Sequence, residues 1–296
     1  MRIGGLSISL ITGSVSVVSA DGWKWTSFWR GILTRLNGTT NALMVVLERR
    51  HTKLRVTLIA KTEANYFAMM EATDHEYDPS GFDEGDGFRN LDITNDCDSV
   101  PVFGGRNCYQ SWGKPNPATA TEMGYLKNIL SHEHYSVLEH SSATFYVTGV
   151  SRNLTHELIR HRHLSYSELS QRYVDMENAR IVIPPALRQE HGGEVMGPLP
   201  WGAVRDYEAT VRRLMAQGLK RKQAREAARY ILPGGTETRI VVTGNMRAWR
   251  DSIYKRFNVS ADAEIREFGG SLLTQLKEIA PGCFQDMDNT EPFGGK

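Results

Sequence analysis

The spacing of apolar positions changes along the chain, and each change marks an element. LRVTLIAKT (Leu54 to Thr62) is rich in β-branched residues and partly alternates, which predicts a strand. SSATFYVTGVS (Ser141 to Ser151) and TETRIVVTGN (Thr236 to Asn245) read the same way, and RIVIPP predicts a short strand ended by its two prolines. Helical spacing places Met123, Leu126, Ile129 and Leu130 on one face, with Thr121 as N-cap. NLTHELIRHR sets Leu154 and Leu158 one turn apart, so Arg160 to Arg162 fall at the end of a short helix, where cations favour the dipole. SYSE (Ser165 to Glu168) has capping-box spacing and predicts a further helical turn.

Residues 203–232 follow a helical pattern, broken at Gly218 and stopped by Pro233. Met246, Trp249, Ile253, Tyr254 and Phe257 form one stripe, which leaves Arg247, Arg250 and Arg256 off the core side. Ile265, Phe268, Leu272, Leu276 and Ile279 mark a last amphipathic helix. Residues from about 63 to 104 are rich in Asp, Gly and Pro with little periodicity, and YDPSGFDEGDGF reads as a surface loop. No repeat or linker divides residues 54–290, so the pattern predicts one mixed α/β (α+β) domain, a central sheet flanked by helices. Residues 1–53 form an N-terminal extension of unknown role. Their basic start, Ser-diluted apolar middle and VSAD site only weakly imitate a secretory signal; Met44 is an alternative start.

Composition narrows the class. A net charge of +1 argues against a protein that grips long nucleic acid through counterion release. The cysteines Cys97, Cys108 and Cys283 are too widely spaced for a disulfide framework, which fits a reduced, cytoplasmic compartment. No apolar run is long enough to span a bilayer. The local exception to this balance is RHRHLSYSELSQR, Arg160 to Arg172, with four consecutive cations or potential cations at its start. Within a nearly neutral chain, that cluster reads as a pocket for a small anion. GxGxxG and GxxxxGK[ST] are absent and GGRNCYQSWGKP has the wrong spacing, so phosphate must be held by side chains. Arginine forks at Arg160, Arg162, Arg172, Arg229 and Arg256 suit that task. His132, His134 and His140 lack HExxH spacing, so no metal site is expected, and neither Ser170 nor Cys108 has the context of a covalent nucleophile.

RHRHLSYSELSQR resembles the signature of flavin-dependent thymidylate synthases, RHR followed after seven residues by Ser, here Arg160-His161-Arg162 and Ser170. NCYQSWGKPNPATAT, HEHYSVLEHSSATFYVTGVSRNLTHELIRHR, RKQAREAARYILPGGTETRIVVTGN and RAWRDSIYKR resemble further family segments, especially actinobacterial ones, in family order. The resemblance implies synthesis of dTMP from dUMP, with methylenetetrahydrofolate as carbon donor, FAD as hydride carrier and NADPH as its reductant. It implies a homotetramer with active sites between subunits. For the cofactor it points to His134, Ser136, Arg160, His161, Arg162, Glu168, Asn245, Met246, Arg247 and Asp251. For dUMP it points to Glu157, Leu158, Ile159, Arg160, Glu168, Leu169, Ser170, Gln171, Arg172, Arg229 and Arg256, with Arg256 the catalytic group that activates the uracil ring. Asp251 departs from the family's usual His or Asn. Its negative charge is expected to weaken binding of an electron-rich cofactor unless it turns toward Arg247 or Arg250. Two rivals remain: a flavin oxidase without methyl transfer, and a nucleic-acid-binding module built on the basic-aromatic segment.

Overall fold

The computed structural model describes residues 52–77, 95–113, 116–188 and 199–294, together with the backbone of four short strands between residues 2 and 25. The chain divides into two compact units, Met1–Arg50 and His51–Lys296.

In the first unit β1 (Arg2–Ile3), β2 (Leu6–Ile11), β3 (Ser14–Val18) and β4 (Lys24–Trp25) form an antiparallel meander. Register sets Ile8 opposite Val17 and Leu10 opposite Val15. The serines that dilute the apolar stretch are thus the polar half of a period-two pattern, a strand signal the sequence reading passed over.

The second unit is built on β5 (Arg55–Lys61), β6 (Ser142–Ser151), β7 (Ser165–Glu168) and β8 (Glu237–Asn245), in the order β5-β6-β8-β7 and antiparallel throughout. Phe145, Val147, Ile240 and Val242 alternate onto one face and are fully buried. That face joins one hydrophobic core with α7 (Met246–Arg256) and α8 (Ala263–Ile279), through Met246, Trp249, Ile253, Ile265, Phe268, Leu272 and Leu276. The other face keeps a polar pair, Thr144 and Thr243, with hydroxyls 2.9 Å apart, as an antiparallel sheet allows. Where the β6–β8 register shifts, Gly149 adopts φ 72° and its Cα faces the Lys53 carbonyl so closely that a Cβ would lie 1.9 Å from that oxygen. Only glycine fits there.

The remaining helices are α1 (Tyr66–Glu71), α2 (Asp96–Tyr109), α3 (Glu122–Ser131), α4 (Arg152–Leu158), α5 (Leu199–Ala216) and α6 (Arg221–Ala228). Thr121 caps α3 as expected, accepting from the Gly124 amide at 3.0 Å, and Gly218 at φ 94° separates α5 from α6.

Five expectations need correction. Residues 63–104 are not simply loop: α1 and most of α2 fall there, and Pro101 sits inside α2. Proline removes one helical hydrogen bond, but α2 buries Cys97, Val102 and Arg106, and tertiary packing outweighs the local penalty. Most of YDPSGFDEGDGF lies outside the described residues. RIVIPP makes only an isolated bridge, Ile181 to Thr236, because its prolines stop the ladder at once. SYSE is not a helical turn but edge strand β7, with Tyr166 opposite Val242. Its polar–aromatic alternation satisfies the capping-box spacing and the sheet period equally, and the free edge of β8 decides between them. On α7 Tyr254, expected in the core stripe, is 62% exposed, whereas Arg250, expected off the core side, is only 8% exposed. Its guanidinium donates to both carboxylate oxygens of Asp286 at 2.7 Å and to the Cys283 carbonyl. This buried fork ties the C-terminal segment to α7.

Candidate active site

The site forms where α4, the Arg160–Arg172 segment and the end of α7 meet. Ser151 ends β6 and caps α4, accepting from the Leu154 amide at 3.1 Å. Its own hydroxyl and amide donate to Glu264 of α8 at 2.6 and 2.8 Å. Burial raises the Glu264 carboxyl pKa, with Ser151 opposing the shift. This contact fixes where α4 starts, and therefore where Glu157 points, one residue before the helix ends.

Glu157 meets Arg256. Arg256 Nη1 donates to Glu157 Oε2 at 2.8 Å, Nη2 to the Glu157 carbonyl at 2.9 Å, and Nε to His161 Nε2 at 2.9 Å. A guanidinium carries five N–H donors, so two remain for a ligand. The His161 ring is buried, and burial followed by the Arg256 charge lowers its pKa, with Asp251 opposing. The imidazole is therefore neutral near pH 7. Because Nε2 accepts from Arg256, its proton sits on Nδ1. Tyr166 of β7 closes the turn from below, its hydroxyl bonding the Leu158 and His161 carbonyls at 2.7 and 2.8 Å.

Glu168, on the same strand, accepts from Thr155 Oγ1 and pairs with Arg152, both at 2.8 Å. Leu169 continues the edge through its amide to the Arg239 carbonyl at 2.9 Å, Gln171 is buried, and Ser170 is half-buried. Arg160, Arg162 and Arg172 are exposed. Arg172 lies 5.8 Å from the centre of the Tyr173 ring, and Arg229 lies 6.0 Å from that of Tyr230.

A second group of expected residues gathers in a cleft of about 350 Å³. His134, Ser136 and Arg247 line it with Cys108, Tyr109 and Tyr135. Asn245 caps α7 from the adjoining end of β8, accepting from the Ala248 amide at 2.8 Å. At the rim Arg247 pairs with Glu139 at 2.6 Å.

Leu158 and Met246 lie in the core with fully buried side chains. Met246 also spends its amide on the Ser141 carbonyl at 2.9 Å. Any ligand contact from these two is through remaining backbone atoms. Ile159 is 44% exposed. Asp251 turns toward neither Arg247 nor Arg250. It pairs with Lys255 one turn on, at 2.7 Å, and stands 3.6 Å from His161 Nδ1. Sequence reasoning missed Lys255, Tyr166, Arg152 and Glu139. Only the i,i+4 spacing of Asp251 and Lys255 could have been read from the chain; the Tyr166 contacts depend on how its own segment turns back, and those of Arg152 and Glu139 join separate elements. Among the described residues no group of three His, Cys, Asp or Glu side chains is placed to hold a metal ion.

The donor set suits an anionic ligand: exposed arginine forks, a neutral buried histidine, and a cleft carrying an arginine, a histidine and a serine. The family model described as Thymidylate synthase complementing protein matches residues 91–282. The flavin-dependent thymidylate synthase of Mycobacterium tuberculosis is 49% identical over 208 residues, covering 67% of this chain and 83% of that one. Those of Mycobacterium avium and Mycobacteroides abscessus are each 48% identical, over 206 and 210 residues, covering 66% and 67% of this chain and 82% and 84% of theirs. With the match running through the arginine–histidine segment and α7, the chain belongs to the flavin-dependent thymidylate synthase family.

Proposed function

We propose that the protein makes dTMP from dUMP with methylenetetrahydrofolate as one-carbon donor, FAD as flavin and NADPH as reductant. The observation that carries this reading is the meeting of the neighbouring Glu157 and His161 with Arg256, 95 or more residues further on, at the segment that bears the family signature. Arg256 keeps two donors for the uracil ring. Its fixed positive charge favours loss of the N3 proton and moves electron density toward C5. Glu157 orients the guanidinium and balances its charge before the substrate arrives. Arg172 and Arg229 are the phosphate-holding groups, with Glu168, Leu169, Ser170 and Gln171 along the same edge. His134, Ser136, Asn245 and Arg247 hold the flavin with Arg160 and Arg162. The bound flavin supplies the hydride.

A homotetramer with shared sites belongs to the same reading. Large apolar side chains at Phe67, Tyr109, Tyr230 and Tyr254 are 62% or more exposed, which suits a surface covered by other subunits. A cytoplasmic setting is supported by the unpaired Cys97, Cys108 and Cys283. No helix among the described residues is long and apolar enough to cross a membrane.

The test is an assay of the purified full chain with dUMP, methylenetetrahydrofolate, FAD and NADPH. dTMP should accumulate in step with NADPH oxidation. NADPH oxidation without dTMP would identify an oxidase instead, and tight binding to nucleic acid with a steep salt dependence would favour the binding module.

Residues before Met44 are expected to be dispensable for this reaction, since the family match begins at residue 91 and the unit holding the site begins at His51. A chain starting at Met44 should match the full chain in unfolding midpoint, assembly state by light scattering and dTMP formation. Insoluble or inactive truncated protein would show that the first unit takes part in folding or catalysis.

A further inference from the structure

We infer that Asp251 is a positioning residue: it acts through His161 to set the orientation of the catalytic Arg256. The inference rests on the proposed role of Arg256. Asp251 and Arg256 lie on the same helix, five residues apart, and so point in different directions around it. The His161 ring spans them, with Nδ1 toward Asp251 at 3.6 Å and Nε2 accepting from Arg256 Nε at 2.9 Å. At 3.6 Å the carboxylate acts on Nδ1–H by charge rather than through a full hydrogen bond.

The effect follows from the two tautomers. With the proton on Nδ1, Nε2 offers a lone pair to Arg256. With the proton on Nε2, two N–H groups face each other, and Arg256 must swing away and break its alignment with Glu157. The carboxylate favours the first tautomer. Burial and the neighbouring Arg256 also keep the ring from taking a second proton, and Lys255 adds to that tendency. Lys255 further balances the charge of Asp251, contacting both its oxygens at 2.7 and 2.9 Å. The groups facing the ring are therefore Asp251, Lys255 and Arg256 from α7. Behind Arg256 stands Glu157 of α4, and from β7 the Tyr166 hydroxyl fixes the His161 carbonyl at 2.8 Å. Each link depends on the next: Lys255 holds Asp251, Asp251 selects the tautomer, and the tautomer places Arg256. The charge of Asp251 thus already has partners within the chain, Lys255 and the His161 ring.

Nitrogen NMR of the histidine side chains in the full-length protein, without flavin or substrate, tests this directly. The His161 signal is assigned by its loss in His161→Gln. Wild type should show a single neutral Nδ1–H tautomer at pH 7. Asp251→Ala should give a mixture, with kcat for dTMP lowered about ten- to hundred-fold, the usual range when a group that orients a functional side chain is lost, and a much smaller change in KM for dUMP. Asp251→Glu keeps a carboxylate at a half-exposed position with room for one more methylene, and should restore both the tautomer and most of kcat. An unchanged Nδ1–H tautomer in Asp251→Ala, a kcat close to wild type, or a defect chiefly in KM would overturn the inference. Absence of dTMP formation by the wild-type protein would count against the proposed reaction instead, because the spectrum is read without it.

Discussion

Replacing Arg256 with lysine should abolish most turnover while leaving dUMP bound. The guanidinium holds three partners at once: the Glu157 carboxylate, the Glu157 carbonyl and His161 Nε2. A lysine ammonium is a single point with three donors and cannot reproduce a planar fork that also presents two free N–H groups. The positive charge survives, so attraction for the anionic substrate survives with it. What is lost is a donor aimed in advance at the ring where negative charge develops, and that loss raises the barrier more than it weakens the ground state. Removing one such preorganised donor commonly costs roughly 100- to 1,000-fold in kcat, and Arg256→Lys is expected in that range. Arg172→Ala should show the opposite balance. A charge-assisted bond to phosphate is worth about 1.5–3 kcal/mol, so KM for dUMP should rise roughly ten- to hundred-fold with a smaller change in kcat. Steady-state kinetics on both variants separates the roles. A near-normal kcat in Arg256→Lys, or a defect confined to dUMP affinity, would leave Arg256 as one more binding group.

The parts of this site that could be read from the chain are those set by local order. Strands β6 and β8 announce themselves by alternation, α3, α7 and α8 by apolar stripes, and Thr121 by its capping position. Gly218 and Pro233 mark the helix boundaries of the α5–α6 segment. The arginine–histidine cluster was visible because four such residues in a row need an explanation in a nearly neutral chain. What stayed hidden depends on partners far away in sequence. SYSE becomes a strand because β8 offers it an edge, not because of anything within its four residues. Arg250 looks like a surface cation until Asp286, 36 residues on, supplies the carboxylate that lets it be buried. α2 survives Pro101 because its buried face outweighs the missing bond. The link between Asp251 and Arg256 runs through His161, about ninety residues earlier in the chain. Periodicity carries no information about such pairings.

Trp249→Ala is expected to give the largest loss of stability, and through it a loss of function. The Trp249 side chain is fully buried. Its indole N–H donates to the Ala143 carbonyl at 3.2 Å, and its ring meets Phe145 edge-on, with centroids 5.4 Å apart. Gly244 of β8 lies so close that a Cβ there would come within 3.2 Å of the indole and 2.2 Å of Leu164 Cδ2. The ring thus wedges α7 against β6 and β8, next to the residue three positions after His161. Truncating a buried tryptophan typically costs about 3–5 kcal/mol, from lost transfer energy and the cavity left behind. The edge-to-face contact and the indole hydrogen bond go with it. Urea unfolding followed by circular dichroism should show that drop against wild type. Arg256→Lys, which removes no buried apolar volume, should leave the midpoint almost unchanged. The two variants therefore part company on stability even where both lose turnover. A loss below about 1 kcal/mol, the centre of the range for ordinary substitutions, would mean that α7 is held to the sheet by its other contacts. Arg250 with Asp286 would then be the first place to look, since that buried fork also ties α7 to the rest of the unit.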